Sequence, residues 1–211
     1  MNPVSMRREL SLKKKGYDLI AGVDEVGIGP LAGPVVAAAV ILKAGARIRG
    51  LDDSKKLSPK VREELYSIII NSSVSIGVGI IDNSVIDRIN ILQASFRAIR
   101  SAIASLSIQP QQILVDGIRK IPGISMPQTS IKGGDGICSS IAAASIIAKV
   151  MRDRLMDNYD RVYPRYEFIN HKGYGTEEHM KLLKKYGPTP IHRISYEPVF
   201  KSLLSKGYLF F

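Results

Sequence analysis

Cysteine is nearly missing from this 211-residue chain: Cys138 stands alone. A single thiol cannot close an internal disulfide, and such sparse use suits a reducing compartment. Histidine is also scarce, and His171, His179 and His192 show neither an HExxH pattern nor a Cys/His zinc spacing. A core or surface place is expected for each. The longest mostly apolar run, Leu31 to Leu42, is too short for a bilayer and contains Gly33 and Pro34. The basic start, MNPVSMRRELSLKKKG, lacks the apolar stretch and cleavage site of a secretory signal. The expectation is a cytoplasmic protein with no membrane partner. No P-loop Lys-Ser/Thr is found. In GVDEVGIG, acids occupy the place where a dinucleotide pyrophosphate needs amide donors. Negative charge is in deficit: 30 Lys and Arg face 19 Asp and Glu, a formal net charge of +11. Such a balance favours a polyanion as partner.

What is present reads as one α/β domain with a mixed sheet, its 45% hydrophobic content sufficient for a core. The first sixteen residues form a basic helix or arm carrying Lys13, Lys14 and Lys15. Asp18 to Val26 is a short strand. A glycine-rich turn leads to a second strand, Val35 to Leu42, expected to pair antiparallel with the first. Ser58 and Pro59 start a helix that runs to about Ile70. Val74 to Ile81 is a third strand. The spacing of Ile89, Leu92, Phe96, Ile99 and Ile103 predicts a long amphipathic helix over 84–106. Ile113 to Val115 is a fully apolar strand, expected near the centre of the sheet, and Ser125 to Ile131 is a weaker strand. Ser139 to Met156 is a helix whose small first half suits close packing on a sheet. Thr176 to Tyr186 is helical, stopped by Gly187 and Pro188. Residues 201–211 are a tail of uncertain course.

Four carboxylates carry the chemical argument. Asp24 and Glu25 end the first strand, Asp116 ends ILVDG, and Asp135 precedes the small-residue helix. A carboxylate at the tip of a buried strand is costly unless paired. Several that converge repel each other, and divalent cations relieve the repulsion. Each also has a plain reading: Asp24 as a turn cap, Asp116 in an Asp-Gly turn, Asp135 favoured by a helix dipole. Neighbours on a regular strand point to opposite faces, so Asp24 and Glu25 serve one site only through a bend or through the Glu25 carbonyl. Oxygen-only ligands select Mg²⁺ or Mn²⁺. Two such ions, one beside the attacking water and one beside the leaving oxygen, would support phosphodiester hydrolysis without a protein nucleophile.

The motifs AGVDEVGIGPLAGPVVAAAV (21–40), LDDSKKLS (51–58), ILVDG (113–117), SIAAASIIAKVMRDR (140–154), HKGYGT (171–176) and HRISYEPV (192–199) resemble the type 2 ribonucleases H in their bacterial ribonuclease HII form. The resemblance implies a ribonuclease H-like fold with a five-stranded mixed sheet flanked by helices over residues 18–200, including a C-terminal helical extension. It implies hydrolysis of the RNA strand in RNA·DNA hybrids. It also implies incision 5′ of a single ribonucleotide in duplex DNA, leaving 3′-hydroxyl and 5′-phosphate ends. By the same resemblance Asp24, Glu25, Asp116 and Asp135 are the catalytic, metal-binding set for Mn²⁺ or Mg²⁺. Tyr174 falls on the tyrosine that stacks on the sugar after the ribonucleotide.

Gly27, Ile28 and Gly29 bring backbone close to a ribose, whose 2′-hydroxyl separates RNA from DNA. Lys55, Lys56 and Lys172 are the lysines expected near substrate phosphates. Lys181, Lys184 and Lys185 read more simply as a solvated face. Two positions depart from the pattern: Ile28 stands where the family usually has arginine, and Ile137 where it often has lysine. A monomer is expected. Two rivals remain. Ribonuclease HIII shares the acidic set but usually carries an extra N-terminal domain, whereas only seventeen residues precede the first strand here. The other is a silent module that binds hybrids without cutting them.

Overall fold

The computed structural model describes residues 4–205. Five strands form one mixed sheet: β1 (Ile20–Val26), β2 (Val35–Leu42), β3 (Ser73–Ile81), β4 (Gln112–Asp116) and β5 (Gln128–Ile131), in the order β3-β2-β1-β4-β5. β1 pairs antiparallel with β2, and β2 with β3. β4 runs parallel to both β1 and β5. The central strand is therefore β1, and β4 is an inner strand beside it. β5 begins at Gln128 rather than Ser125.

Helices cover both faces. α3 (Asn83–Ala104) lies on one, packing Ala98, Ile99 and Ala102 against Val23, Ala37 and Ile113. α2 (Pro59–Ser72) and α4 (Ser139–Val162) lie on the other, packing Leu65, Ile69, Ala143 and Ile147 against Val36, Ala38 and Val40. β2 is buried along its whole length, which is why its sequence reads as an unbroken apolar run. Ser58 caps α2, its Oγ accepting from Val61 N at 3.4 Å. Asp82 caps α3, accepting from Val85 N at 2.9 Å.

Two helices differ from the sequence expectation. α3 breaks at Asn90, whose φ of 64° is left-handed. Its Oδ1 accepts from Gln93 N at 3.1 Å and caps the second half, a role that asparagine supports and most residues do not. α4 continues past Met156 to Val162. Beyond the sheet, its Met156 and Tyr159, with Tyr163 just past its end, join Tyr166 and Phe168 in a separate cluster. That cluster belongs to the C-terminal layer, with α5 (Phe168–His171), α6 (Glu177–Tyr186) and α7 (Glu197–Ser205). α7 crosses residue 200, so the stretch expected as a tail from 201 is helical through Ser205; residues 206–211 lie outside the described residues.

The N-terminal segment contributes α1 (Arg7–Lys13) and is docked. Glu9 is 4% exposed, and its Oε1 accepts from Ser140 N at 2.8 Å and Ser140 Oγ at 2.7 Å. One helix thus caps another, placing a carboxylate at the start of α4. Among the described residues Oε2 is buried without a partner, which offsets part of the gain. Glu9→Ala is expected to cost about 1 kcal/mol, a Tm drop of about 3 °C in a thermal melt. An unchanged Tm would remove this capping role.

Candidate active site

Parallel pairing of β1 and β4 is the first step in building the site. Val23 is opposite Val115, so the next residues, Asp24 and Asp116, emerge side by side at the C-terminal ends of the two inner strands. The chain from β5 returns through a 3₁₀ turn, Gly134–Gly136, that presents Asp135 just before α4. Asp116 Oδ1 accepts from Gly134 N at 2.6 Å, locking that turn to the end of β4. Carboxylate oxygens of Asp24, Asp116 and Asp135 all lie within 4.8 Å of one another. Asp24 and Asp135 are buried and Asp116 is half-buried.

Glu25 is not in that group. β1 stays regular through Val26, paired with Val36, so neither the bend nor a shared face arises. Asp24 turns toward α4, where the Ser145 hydroxyl bonds to it. Glu25 turns toward α3, where Ser95 bonds to it. Strand alternation is the physical reason. Glu25 still feels Asp116 across the strand end, and both line a cavity of about 220 Å³ with Ile28, Leu92, Phe96 and Ile118.

Burial holds the Asp24 carboxyl well above the usual carboxylate range, with Glu25 and Asp116 pushing further. Burial and then Asp116 raise Glu25. Burial, Asp116 and Asp53 raise Asp135. Among the described residues none of the four carboxylates forms an ion pair. The nearest compensation is Lys55, whose own burial lowers its pKa but whose neighbours Asp53, Asp24, Asp135 and Asp116 turn the net shift upward. Converging oxygen donors with excess negative charge fit a hard divalent cation.

The glycine turn between β1 and β2 lies beside these acids. Gly27 has φ +100°, and a Cβ there would meet Arg152 Nε at 2.6 Å and Pro34 O at 2.7 Å. A Cβ on Gly29 would meet open space. Ile28 is 46% exposed. Tyr174 is half-buried, with Arg152 Cζ 5.6 Å and Lys149 Nζ 5.9 Å from its ring centroid. The flanking glycines therefore leave it on a cationic bed. Lys56 is exposed and pairs with Asp52 at 3.0 Å. Lys172 pairs with Asp157 on α4, and its carbonyl accepts from Arg152 Nη1 at 2.9 Å. Of the three lysines, Lys55 is the one whose charge couples to the three clustered aspartates.

Several residues near the site gave no sequence signal. Ser54 and Ser145 are buried and share a 2.9 Å hydrogen bond that extends the Asp24 network into the LDDSKKLS loop. Arg152 and Arg193 are fully buried, satisfied by loop carbonyls rather than by acids. Their motifs, SIAAASIIAKVMRDR and HRISYEPV, were the one pointer available.

Known proteins share this sequence and fold. The ribonuclease HII family profile matches residues 21–199, which include all four carboxylates. Ribonuclease HII of Geotalea daltonii is 53% identical over 197 residues, covering 93% of this chain and 91% of that protein. Ribonuclease HII of Geobacter sulfurreducens is 54% identical over 190 residues, covering 90% and 87%. The crystal structure of ribonuclease H2 from Pyrococcus horikoshii matches with a TM-score of 0.74 at 29% identity, covering 89% of this chain and 98% of that one. The profile names the HII type over the HIII type, and the relatives are named as ribonucleases rather than as binding modules. With this sheet and this sequence along it, the chain belongs to the ribonuclease HII family and is a type 2 ribonuclease H, a hydrolase of phosphodiester bonds.

Proposed function

We propose that this enzyme is a divalent-metal-dependent endonuclease that cleaves the RNA strand of RNA·DNA hybrids and cuts duplex DNA 5′ of a single embedded ribonucleotide. The observation that carries the reading is the trio of Asp24, Asp116 and Asp135, drawn from three segments, within 4.8 Å of one another and, among the described residues, in no ion pair. These three would hold Mn²⁺ or Mg²⁺, with Glu25 serving from the opposite side of the strand end. The ion would supply charge stabilisation at the scissile phosphate and a more acidic water.

The remaining work falls to the chain itself. Asp24, fixed by Glu25 N at 2.7 Å and by Ser145, keeps one orientation. Lys55 offsets phosphate charge at the mouth of the site. Backbone at Gly27, Ile28 and Gly29 meets the ribose 2′-hydroxyl, and Tyr174 stacks on the sugar that follows. Water forms the new bond to phosphorus as the P–O3′ bond breaks. The upstream strand leaves as a 3′-hydroxyl, and the phosphate stays on the 5′ end of the ribonucleotide. A formal charge of +11 gives sequence-independent attraction to either duplex.

The test is a labelled duplex with one ribonucleotide, incubated with Mn²⁺ or Mg²⁺ and mapped at nucleotide resolution. A single cut on the 5′ side of the ribonucleotide, abolished by EDTA and absent from the all-deoxy duplex, is expected. Binding without a cut, or a cut elsewhere, would overturn the reading.

A further inference from the structure

The motif HRISYEPV takes no part in the chemistry above, yet it bonds directly to one of the loops that the proposed function assigns to substrate recognition and reaches the other through His179. Residues 191–193 run beside the glycine turn: Gly33 N donates to Ile191 O at 2.9 Å, and Arg193 N to Leu31 O at 2.8 Å. From this base the Arg193 guanidinium, with no solvent exposure, donates to three carbonyls. Nη2 reaches Gly27 O at 2.6 Å and Gly33 O at 2.9 Å; Nη1 reaches Ile28 O at 2.9 Å; Nε reaches Gly33 O at 3.0 Å. Tyr196 completes the cradle. Its hydroxyl accepts from Arg193 Nη1 at 2.9 Å and donates to Ile28 O at 2.6 Å.

The consequence follows from peptide geometry. Among the described residues no peptide is cis, and in a trans peptide the C=O of one residue and the N–H of the next point in opposite directions. Holding the carbonyls of Gly27 and Ile28 inward therefore turns the amides of Ile28 and Gly29 outward. A planar guanidinium suits this task, because its fork of fixed donors spans several acceptors at once.

The same segment reaches Tyr174 by another route. A carbonyl only accepts, so His179 Nδ1 donates to Tyr174 O across 2.9 Å. Burial drives the His179 pKa down to about 4, leaving one ring proton, so its Nε2 is an acceptor. The partner at 3.0 Å is His192 Nε2, which must donate. His192 Nδ1 then accepts from Thr189 N at 2.9 Å and from Thr189 Oγ1 at 2.8 Å. Each proton has one place, and the chain of bonds ends on the Tyr174 backbone.

We propose that His192–Tyr196 is a positioning element for ribose discrimination: Arg193 and Tyr196 aim the Ile28 and Gly29 amides at the sugar, and His192, through His179, fixes Tyr174 relative to them. This rests on the functional reading above and deepens it. The element touches no reacting atom. It sets the spacing between the group that detects the 2′-hydroxyl and the ring that follows it.

Tyr196→Phe is the decisive variant, since it removes one hydroxyl and keeps the ring. Binding is measured by fluorescence anisotropy, with Ca²⁺ in place of the catalytic ion, on two duplexes that differ only by one 2′-hydroxyl. The variant should lose about tenfold in affinity for the ribonucleotide duplex, the worth of one hydrogen bond, and keep its affinity for the all-deoxy duplex. In cleavage, KM should rise by a similar factor with kcat within about twofold. Mn²⁺ affinity of the protein alone, by calorimetry, should not move. Arg193→Lys, which offers one donor centre to three carbonyls, should lose more of the same discrimination; if it does not fold, Tyr196→Phe still decides. Equal weakening on both duplexes, an unchanged preference, or a fall in Mn²⁺ affinity would each overturn the element. The wild type reports separately on the reading beneath it. If it fails to tell the two duplexes apart, the functional reading fails and takes the element with it. If it discriminates and Tyr196→Phe discriminates equally, the element alone fails.

Discussion

Asp24→Asn is expected to abolish cleavage and, in the same protein, to raise the melting temperature measured without metal. Both effects come from one placement. Asp24 is 6% exposed, has no ion pair, and is held above the usual carboxylate range by burial, Glu25 and Asp116. The folded state therefore binds the Asp24 proton more tightly than the unfolded state does. By linkage, stability falls as pH climbs from the unfolded pKa, near the ordinary 3.8, through the raised folded one. Above that window the metal-free fold carries a desolvated charge beside two like charges. Asparagine removes the charge, keeps an oxygen for Glu25 N, and adds a donor that faces Asp116. The gain at about pH 8 should be about 1–2 kcal/mol, a Tm higher by about 3–6 °C. Below the unfolded pKa the carboxyl is neutral in both states, and the gain should vanish. Adding Mn²⁺ should reverse the ranking, because the wild type alone keeps the full donor set. Cleavage should drop by about a thousandfold or more. Melts across pH, with and without Mn²⁺, check all of this. A metal-free variant that melts with or below the wild type at pH 8 would show that the carboxylate carries no cost there.

How far the sequence reached is clear from particular residues. Val35 to Leu42 read as a strand because every residue in it is buried, so no face alternation blurred the signal. Ser58-Pro59 read as a helix start because capping is local chemistry. Period-two alternation correctly raised the difficulty over Glu25, and the regular strand resolved it by sending Glu25 to the α3 side. Asp24 and Asp116 were legible as candidates because each ends an apolar run, and Asp135 because it precedes the small-residue helix; their approach to 4.8 Å was not, since it depends on the parallel register Val23–Val115, which no local pattern encodes.

The remaining surprises share a cause. Arg152 and Arg193 drew no reading of their own, because a buried guanidinium satisfied by backbone carbonyls leaves no acidic partner in the sequence to find. Glu9 reads as one acid in a basic arm, and its role as the cap of α4 needs a contact across 131 positions. The break at Asn90 lay inside a continuous apolar period that fits both halves of α3. His179 and His192 fit no metal spacing, and their bond pattern is set by carbonyl and hydroxyl partners that any sequence supplies.

Gly22→Ala is expected to be a severely damaging single methyl. Gly22 lies in β1, opposite Val40 on one side and Leu114 on the other, two residues before Asp24. Its missing side chain faces α4. A Cβ there would lie 2.2 Å from Ser140 C and 2.3 Å from Ile141 N. Both are helix backbone, so no rotamer change relieves the clash, and α4 must move outward by more than 1 Å to reach ordinary contact, about 3.5 Å or more. The first turns of α4 cannot move alone. They carry the Glu9 cap, follow directly from the turn bearing Asp135, and place Ser145 on Asp24. The cost should be on the order of 3 kcal/mol or more, a Tm lower by about 10 °C. The portion that folds should bind Mn²⁺ more weakly, because Asp135 shifts with α4 while Asp24 and Asp116 stay with the sheet. Gly29→Ala is the control: its Cβ meets open space, so its Tm should match the wild type. Thermal melts and Mn²⁺ calorimetry on the two variants separate the outcomes. A Gly22→Ala protein that melts with the wild type and binds Mn²⁺ as well would mean that α4 does not rest on β1 closely enough to register the metal site.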